Sequence, residues 1–227
     1  MRYAHVIWDW NGTLLDDAWL CIEVMNQLLA EQRLPLLTPD RYAWVFGFPL
    51  REYCRRLGFQ ADRPSYEQLS GAFAARYEAR RLECRLRHGA RETLAAAQNL
   101  GVRQSLLSAY SHERLRELVP EFGLSEVFDA VLGADNPYGR GKADLGRQHL
   151  SALGLPAAAV LLVGDTLYDH QVARAIGVDC VLLASGHQHH QRLQSTGARV
   201  VHGIGKIRGL IERDSRRYME LCRQGGG

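Results

Sequence analysis

Lysine is almost missing from this 227-residue chain: of 28 basic residues only Lys142 and Lys206 are lysines, so chemistry that needs a lysine amine has two candidates. The five cysteines are odd in number and widely spaced, with no C-x-x-C pair. That excludes a zinc ribbon or a dithiol redox motif and points to a reducing, cytoplasmic setting. The longest apolar run, Ala157 to Val163, falls far short of the roughly 20 residues that cross a bilayer, and no apolar leader precedes Asp9. A net charge of +3 is too small an excess to imply a nucleic-acid or acidic-membrane partner. A soluble protein with neither kind of partner is expected, its oligomeric state left open. With 46% hydrophobic and 23% charged residues the chain has ordinary globular composition. Its length fits one sizeable core with a smaller appendage.

Short apolar segments recur at Val6-Ile7-Trp8, Ser105-Leu106-Leu107, Ala130-Val131-Leu132, Val160 to Val163, Cys180 to Leu183 and Arg199-Val200-Val201, and read as buried strands. Between the later ones lie helix-like stretches closed by glycine, Ala143 to Leu153 before Gly154 and Gln171 to Ile176 before Gly177. This alternation predicts an α/β fold: a doubly wound, mostly parallel sheet, a Rossmann-like core, with ligands at the carboxyl ends of the strands. From about Asp16 to Gly101 no strand is expected. Thr38-Pro39 reads as an N-cap followed by proline at the first helical position, and Leu69, Phe73 and Tyr77 recur every four residues. Gly47, Pro49, Gly58 and Pro64 divide this interval into several helices, and Gly225-Gly226-Gly227 reads as a frayed end. The expected organisation is a smaller helical cap over 16–88 inserted after the first strand, with 1–15 and 89–227 forming the core.

The first strand runs into Asp9-Trp10-Asn11-Gly12-Thr13-Leu14, and a carboxylate at a strand end before a glycine turn can present a nucleophile beside anion-holding N–H groups. After Val160 to Val163 comes Gly164-Asp165-Thr166-Leu167-Tyr168-Asp169, whose two carboxylates four apart suit Mg²⁺, or a helix cap, or both. Ser108 follows the second strand and Lys142 opens a helix. Each could touch a phosphoryl oxygen.

In this order the four stations resemble the haloacid dehalogenase-like hydrolase superfamily, on its phosphoglycolate-phosphatase-like branch with a helical cap. The resemblance covers nearly the whole chain. It implies a Mg²⁺-dependent phosphatase acting on a small phosphorylated metabolite, phosphoglycolate-like, through an aspartyl-phosphate on Asp9. By the same resemblance Mg²⁺ would be held by Asp9, the backbone carbonyl of Asn11 and Asp165, with Asp169 in support. Phosphate would meet Gly12, Thr13, Ser108, Ala109 and Lys142. Phe48 and Arg51, in and after Gly47-Phe48-Pro49-Leu50, resemble the cap loop that meets substrate.

One position departs from the pattern. Family phosphatases carry a second aspartate two residues past the nucleophile to protonate the leaving group and activate water, and here it is Asn11. An amide cannot exchange that proton, so about 10²–10⁴ in rate is at stake. A catalytically weak phosphate-binding or regulatory protein, or a phosphotransferase, is therefore the alternative. The phosphonate-cleaving pattern needs a cap lysine, and the interval Asp16 to His88 has none. Of the remaining candidates, His187, His189 and His190 are expected in an exposed loop, and most of the cap arginines on a solvated face.

Overall fold

The structure, a computed structural model, describes residues 3–59, 65–134 and 141–211. Pro64 and the terminal glycines fall outside them. Strand β1 (His5–Trp8) enters the centre of the molecule, and the tiny strand β2 (Leu15–Asp16) follows. Four helices come next: α1 (Ala18–Glu31), α2 (Pro39–Val45), α3 (Leu50–Arg56) and α4 (Tyr66–Arg80). Strand β3 (Arg85–Leu86) leads back to α5 (Ala90–Asn99), β4 (Arg103–Ser111), α6 (His112–Glu121) and β5 (Ala130–Ala134). The chain closes with α7 (Lys142–Leu153), β6 (Val160–Gly164), α8 (Leu167–Ile176), β7 (Asp179–Leu183), α9 (His190–Gln194) and β8 (Arg199–Val201). No helix among the described residues is long and apolar enough to cross a membrane.

Six strands form one parallel sheet in the order β5-β4-β1-β6-β7-β8. Side chains of β1, β4 and β6 are buried on both faces, as helix-covered parallel strands require. From β1 the sheet is built outward through β4 to β5 on one side, and the chain then crosses back to lay β6, β7 and β8 on the other, so the crevice at the carboxyl end of β1 is the switch point where such sheets bind ligands. Register does the rest: Trp8 lies opposite Leu106 on one side and Val163 on the other. The residues just past these three points are therefore neighbours.

The segment from α1 to α4 is helical as expected. Thr38 caps α2 by accepting from the Arg41 N–H at 3.2 Å, with Pro39 at the first helical position. Leu69 and Tyr77 are buried and Phe73 packs against the same core. The expectation of no strand between Asp16 and Gly101 is corrected by β3, which pairs antiparallel with β2 and closes the helical segment at its neck. Two residues per strand leave no periodic signal. What fixes the ribbon is tertiary: the Arg87 N–H donates to the Leu14 carbonyl at 2.8 Å, and Arg87 pairs with Asp16 at 3.2 Å. Ser108, expected just beyond its strand, lies within β4, which shifts register between Leu107 and Ser111.

Beneath the sheet, Ser105 Oγ lies 2.8 Å from the Nε2 atoms of both His5 and His149. Burial, and then His149 itself, push His5 down to about 4. The neutral ring is the form the fold favours. Its stabilising contribution is complete above the unfolded value of about 6.5 and is lost as pH falls toward 4. The stability advantage of the wild type over His5→Phe should therefore shrink between pH 7 and pH 4 in urea titrations. A pH-independent difference would remove His5 from the acid limb.

Candidate active site

Past Trp8 the chain leaves the sheet with Asp9, whose N–H still donates to the Val163 carbonyl at 2.8 Å. Lys142 opens α7, where an ammonium opposes the helix macrodipole. Carboxylates hold it there: Nζ donates to Asp9 Oδ1 at 2.7 Å and to Asp169 Oδ1 at 2.6 Å, and all three groups are buried. The other oxygen of Asp169 accepts from the Thr166 hydroxyl at 2.6 Å and the Thr166 N–H at 3.0 Å, inside the capping box of α8. Asp165 accepts the Thr13 hydroxyl at 3.0 Å on one oxygen and the His187 N–H at 2.6 Å on the other. Both neighbours of that carboxylate must be glycine, because a Cβ on Gly12 or Gly186 would lie 2.3 or 2.2 Å from Asp165 Oδ2.

Burial pushes Asp9 up to about 8 against the pull of Lys142, and pushes Asp165 up to about 6. Lys142, against the effect of burial, is held above its ordinary range by Asp169 and Asp9. Oxygens of Asp9, Asp165 and Asp169 lie within 4.8 Å of one another. Three carboxylates facing one ammonium leave surplus negative charge, and an all-oxygen donor set with that charge fits a hard divalent cation. A cavity of about 830 Å³ opens over this floor and reaches Asn11, Ser108 and Ala109 as well.

A second buried carboxylate organises the adjoining wall. Asp17 stands at the N-cap of α1, yet its side chain makes no capping bond. It turns instead toward Asn11: Oδ2 accepts from Asn11 Nδ2 at 2.7 Å and from the Tyr77 hydroxyl at 2.8 Å, and Oδ1 accepts from the Gly12 N–H at 2.8 Å. His187 Nε2 lies 3.4 Å from Asp17 Oδ1, and its Nδ1 is 2.8 Å from the Tyr42 hydroxyl. Burial alone would raise Asp17, but His187, Asn11 and Tyr77 together hold it below its ordinary value. His187 is in turn raised to about 9, burial being outweighed by Asp17 and Asp165.

Residues 6–183 match the sequence family described as haloacid dehalogenase-like hydrolase. The chain belongs to that family. Among its curated relatives, the phosphoglycolate phosphatase of Pseudomonas savastanoi pv. phaseolicola is 29% identical over 92% of this chain and 80% of its own length. The tyrosine-protein kinase PtkA of Mycobacterium tuberculosis is 28% identical over 91% of this chain and 71% of its own. The solved structure of that PtkA superposes with a TM-score of 0.78 at 26% identity, covering 92% of this chain and 98% of PtkA's. A haloacid dehalogenase-like family hydrolase from Streptococcus pneumoniae shares the fold, with a TM-score of 0.73 at 17% identity over 91% of this chain and 97% of its own. This haloacid dehalogenase-like hydrolase thus lies on the phosphoglycolate-phosphatase-like branch.

In this hydrolase Asp9, Asn11, Ser108, Ala109, Lys142 and Asp169 line one cavity and Asp165 lies beside Asp9 and Asp169, while several other expectations need correction. Gly12 and Thr13 do not present groups to a phosphate: the Gly12 N–H is taken by Asp17, and the fully buried Thr13 spends its hydroxyl on Asp165. Phe48 does line the cavity, its ring 4.7 Å from that of Tyr168. Arg51 does not: one helical step past the inward Leu50, it pairs with Glu67 at 2.9 Å with 64% of its side chain exposed, its guanidinium over the Tyr66 ring. His187 is buried rather than in an exposed loop, and His189 is half-buried, stacked on Trp44 at 4.2 Å. Asp17 and Tyr42 escaped the sequence, and Tyr77 showed there only as part of a helical repeat. The usable signal for His187 was its place just past a strand's carboxyl end.

Replacing Asp17 by Ala removes the shared acceptor of the Asn11 amide, the Gly12 N–H and the Tyr77 hydroxyl and the counter-charge of a buried imidazole at once. Asp17→Ala should cost about 3–5 kcal/mol of stability, read as a lowered urea midpoint, and Asp17→Asn distinctly less. Equal losses in the two would show that the charge, which both remove, carries the effect and that the acceptor kept by Asn contributes nothing.

Proposed function

We propose that this chain is a Mg²⁺-dependent phosphatase that hydrolyses a small phosphomonoester through an aspartyl-phosphate on Asp9, with residues 16–88 as its cap and 1–15 with 89–227 as its catalytic core. The observation that carries this is the buried Asp9 carboxylate, fixed by Lys142 at 2.7 Å beside two further carboxylates on the floor of a cavity. An Asp9 oxygen attacks phosphorus, and the bond to the ester oxygen breaks with its electron pair leaving on that oxygen. Water then attacks the same phosphorus and the bond to Asp9 breaks with its electron pair on the carboxylate; one water proton stays on the released phosphate and the other, passed through solvent, balances the one the departed oxygen takes up. Lys142 and Ser108 meet the phosphoryl oxygens where charge develops, which is the main demand of a loose phosphoryl transition state. Mg²⁺ held by Asp9, the Asn11 carbonyl and Asp165, with Asp169 behind them, would supply charge neutralisation at those oxygens.

Asn11 supplies no proton, because an amide is not an acid near neutral pH; its nitrogen donates to Asp17 at 2.7 Å and to the Tyr77 hydroxyl at 2.9 Å. That observation also keeps a second reading in play, in which the phosphoryl group passes from Asp9 to an acceptor hydroxyl rather than to water. The kinship with PtkA supports it. Product formed only when an acceptor is present would mark that reading. Turnover of neither kind would mark a phosphate-binding or regulatory protein.

Asp9→Asn should abolish turnover of p-nitrophenyl phosphate while the fold survives, since the amide can still accept from Lys142. Retained turnover overturns the aspartyl-phosphate route. Asn11→Asp alone places a carboxylate 2.7 Å from that of Asp17, a like-charge pair of which one member must stay protonated. We expect a small gain in kcat with lowered stability. In Asn11→Asp with Asp17→Asn the clash is gone, and kcat for alkyl phosphates should rise by up to about 10²–10⁴. An unchanged kcat in the double variant would show that the proton comes from elsewhere.

A further inference from the structure

We infer that the substrate of this site is an aromatic phosphomonoester, an aryl ring carrying the phosphate, rather than a small phosphorylated carboxylic acid. The inference rests on the phosphatase reading and names its substrate class. Two independent features of the molecule lead to it.

The first is the wall of the cavity above Asp9. Phe46, Phe48, Tyr53, Phe73, Tyr77 and Tyr110 line it, drawn from α3, α4, β4 and the loop after α2. Their rings already engage one another, Phe46 with Tyr53 at 5.2 Å and Phe73 with Tyr77 at 6.1 Å, so the wall is preformed. A cavity of about 830 Å³ with such a lining has the size and polarity of sites for ring-bearing ligands.

A substrate carboxylate finds little there. Five carboxylates line the same cavity, those of Asp9, Asp17, Glu78, Glu113 and Asp169. The lysine and arginine that join them are already matched: Lys142 to Asp9 and Asp169, and Arg114 to Glu117 at 3.2 Å. His187 is held by Asp17. Arg51, the cap cation nearest in sequence to the cavity loop, points away to Glu67. Bringing another anion into this lining costs desolvation, with no unmatched lysine or arginine among the lining residues to offset it.

The second feature is chemical. Asn11 occupies the position of the proton donor, with its amide nitrogen bound to Asp17. When the P–O bond breaks, the ester oxygen keeps the electron pair. An alkoxide needs a proton at that moment, whereas a phenolate, the conjugate base of an acid near pKa 10, can depart without one. The wall that holds a ring and the missing donor that favours an aryl leaving group select the same substrate.

Binding and turnover together test this on the full chain with Mg²⁺. By calorimetry, benzylphosphonate, which cannot be hydrolysed, should bind at least tenfold more tightly than phosphonoacetate, with inorganic phosphate as the common reference. Phe48→Ala and Phe73→Ala, both at half-buried positions that tolerate truncation, should each weaken benzylphosphonate about three- to tenfold, consistent with the worth of one aromatic pair. Inorganic phosphate should be affected less. In turnover, kcat/KM should be higher for 2-naphthyl phosphate than for phosphoglycolate or glycerol 3-phosphate. Phosphonoacetate binding as tightly as benzylphosphonate, with phosphoglycolate the better substrate, overturns the aryl inference and leaves the phosphatase reading standing. Absence of binding and turnover for every phosphoryl compound overturns both.

Discussion

Everything at the floor of the site depends on one buried ammonium. Lys142 lies between Asp9 and Asp169, and its positive charge is what the two buried carboxylates share. An isolated carboxylate buried in this way is expensive, and the attraction of a well-placed partner offsets the cost only when the geometry is good and other hydrogen bonds satisfy the remaining lone pairs. The second oxygen of Asp169 meets that condition through the Thr166 hydroxyl and N–H. The first turn of α8, the first residue of α7 and the residue after β1 are thereby fixed against one another. Because β1, β4 and β6 run side by side, the constraint reaches Ser108 and Asp165 as well.

Asn11 and Asp17 are best understood together. The family's usual carboxylate two residues past the nucleophile is replaced here by an amide, and a carboxylate stands six residues further on and accepts from that amide. Both could not be carboxylates at 2.7 Å without one of them taking up a proton. With Asn at 11 the pair carries one negative charge, and His187 at 3.4 Å balances it. The result is a rigid, saturated cluster in place of a proton shuttle. Asp17 occupies an N-cap position that its residue type favours, yet it gives up the capping bond to do this.

That conflict between local preference and actual role explains what could be read in the sequence. The strands were legible because buried parallel strands are short apolar runs, and Asp9, Lys142, Asp165 and Asp169 were legible because each sits where such a strand ends or the next helix begins. The ribbon of β2 and β3 was not, since two residues have no period. Asp17 carried no signal, since one carboxylate ahead of a helix is commonplace. Tyr77 recurred at helical spacing with Leu69 and read as core, which is true of its ring and not of its hydroxyl. Arg51 failed for a geometric reason: a helix turns each successive side chain by about 100°, so the residue after an inward Leu50 pointed elsewhere.

The loop after β7 binds these parts into one unit. Its His187 N–H fixes Asp165, and its imidazole serves Asp17 and Tyr42. Gln188 accepts from the Leu167 N–H at the start of α8 and donates to the Phe46 carbonyl in the helical segment. Arg192 donates to the carbonyls of Ala43 and Phe46, which follow one another around the end of α2. A displacement of the Phe46 segment, and with it one wall of the cavity, therefore strains the same few residues that orient Asp165. Cavity shape and the charge arrangement on its floor are consequently one mechanical problem in this protein. A substitution in the aromatic wall near Phe46 acts on substrate binding directly and on Asp165 through Gln188 and His187, whereas one at Phe73, on α4, reaches Asp165 only by the longer route through Tyr77, Asp17 and His187.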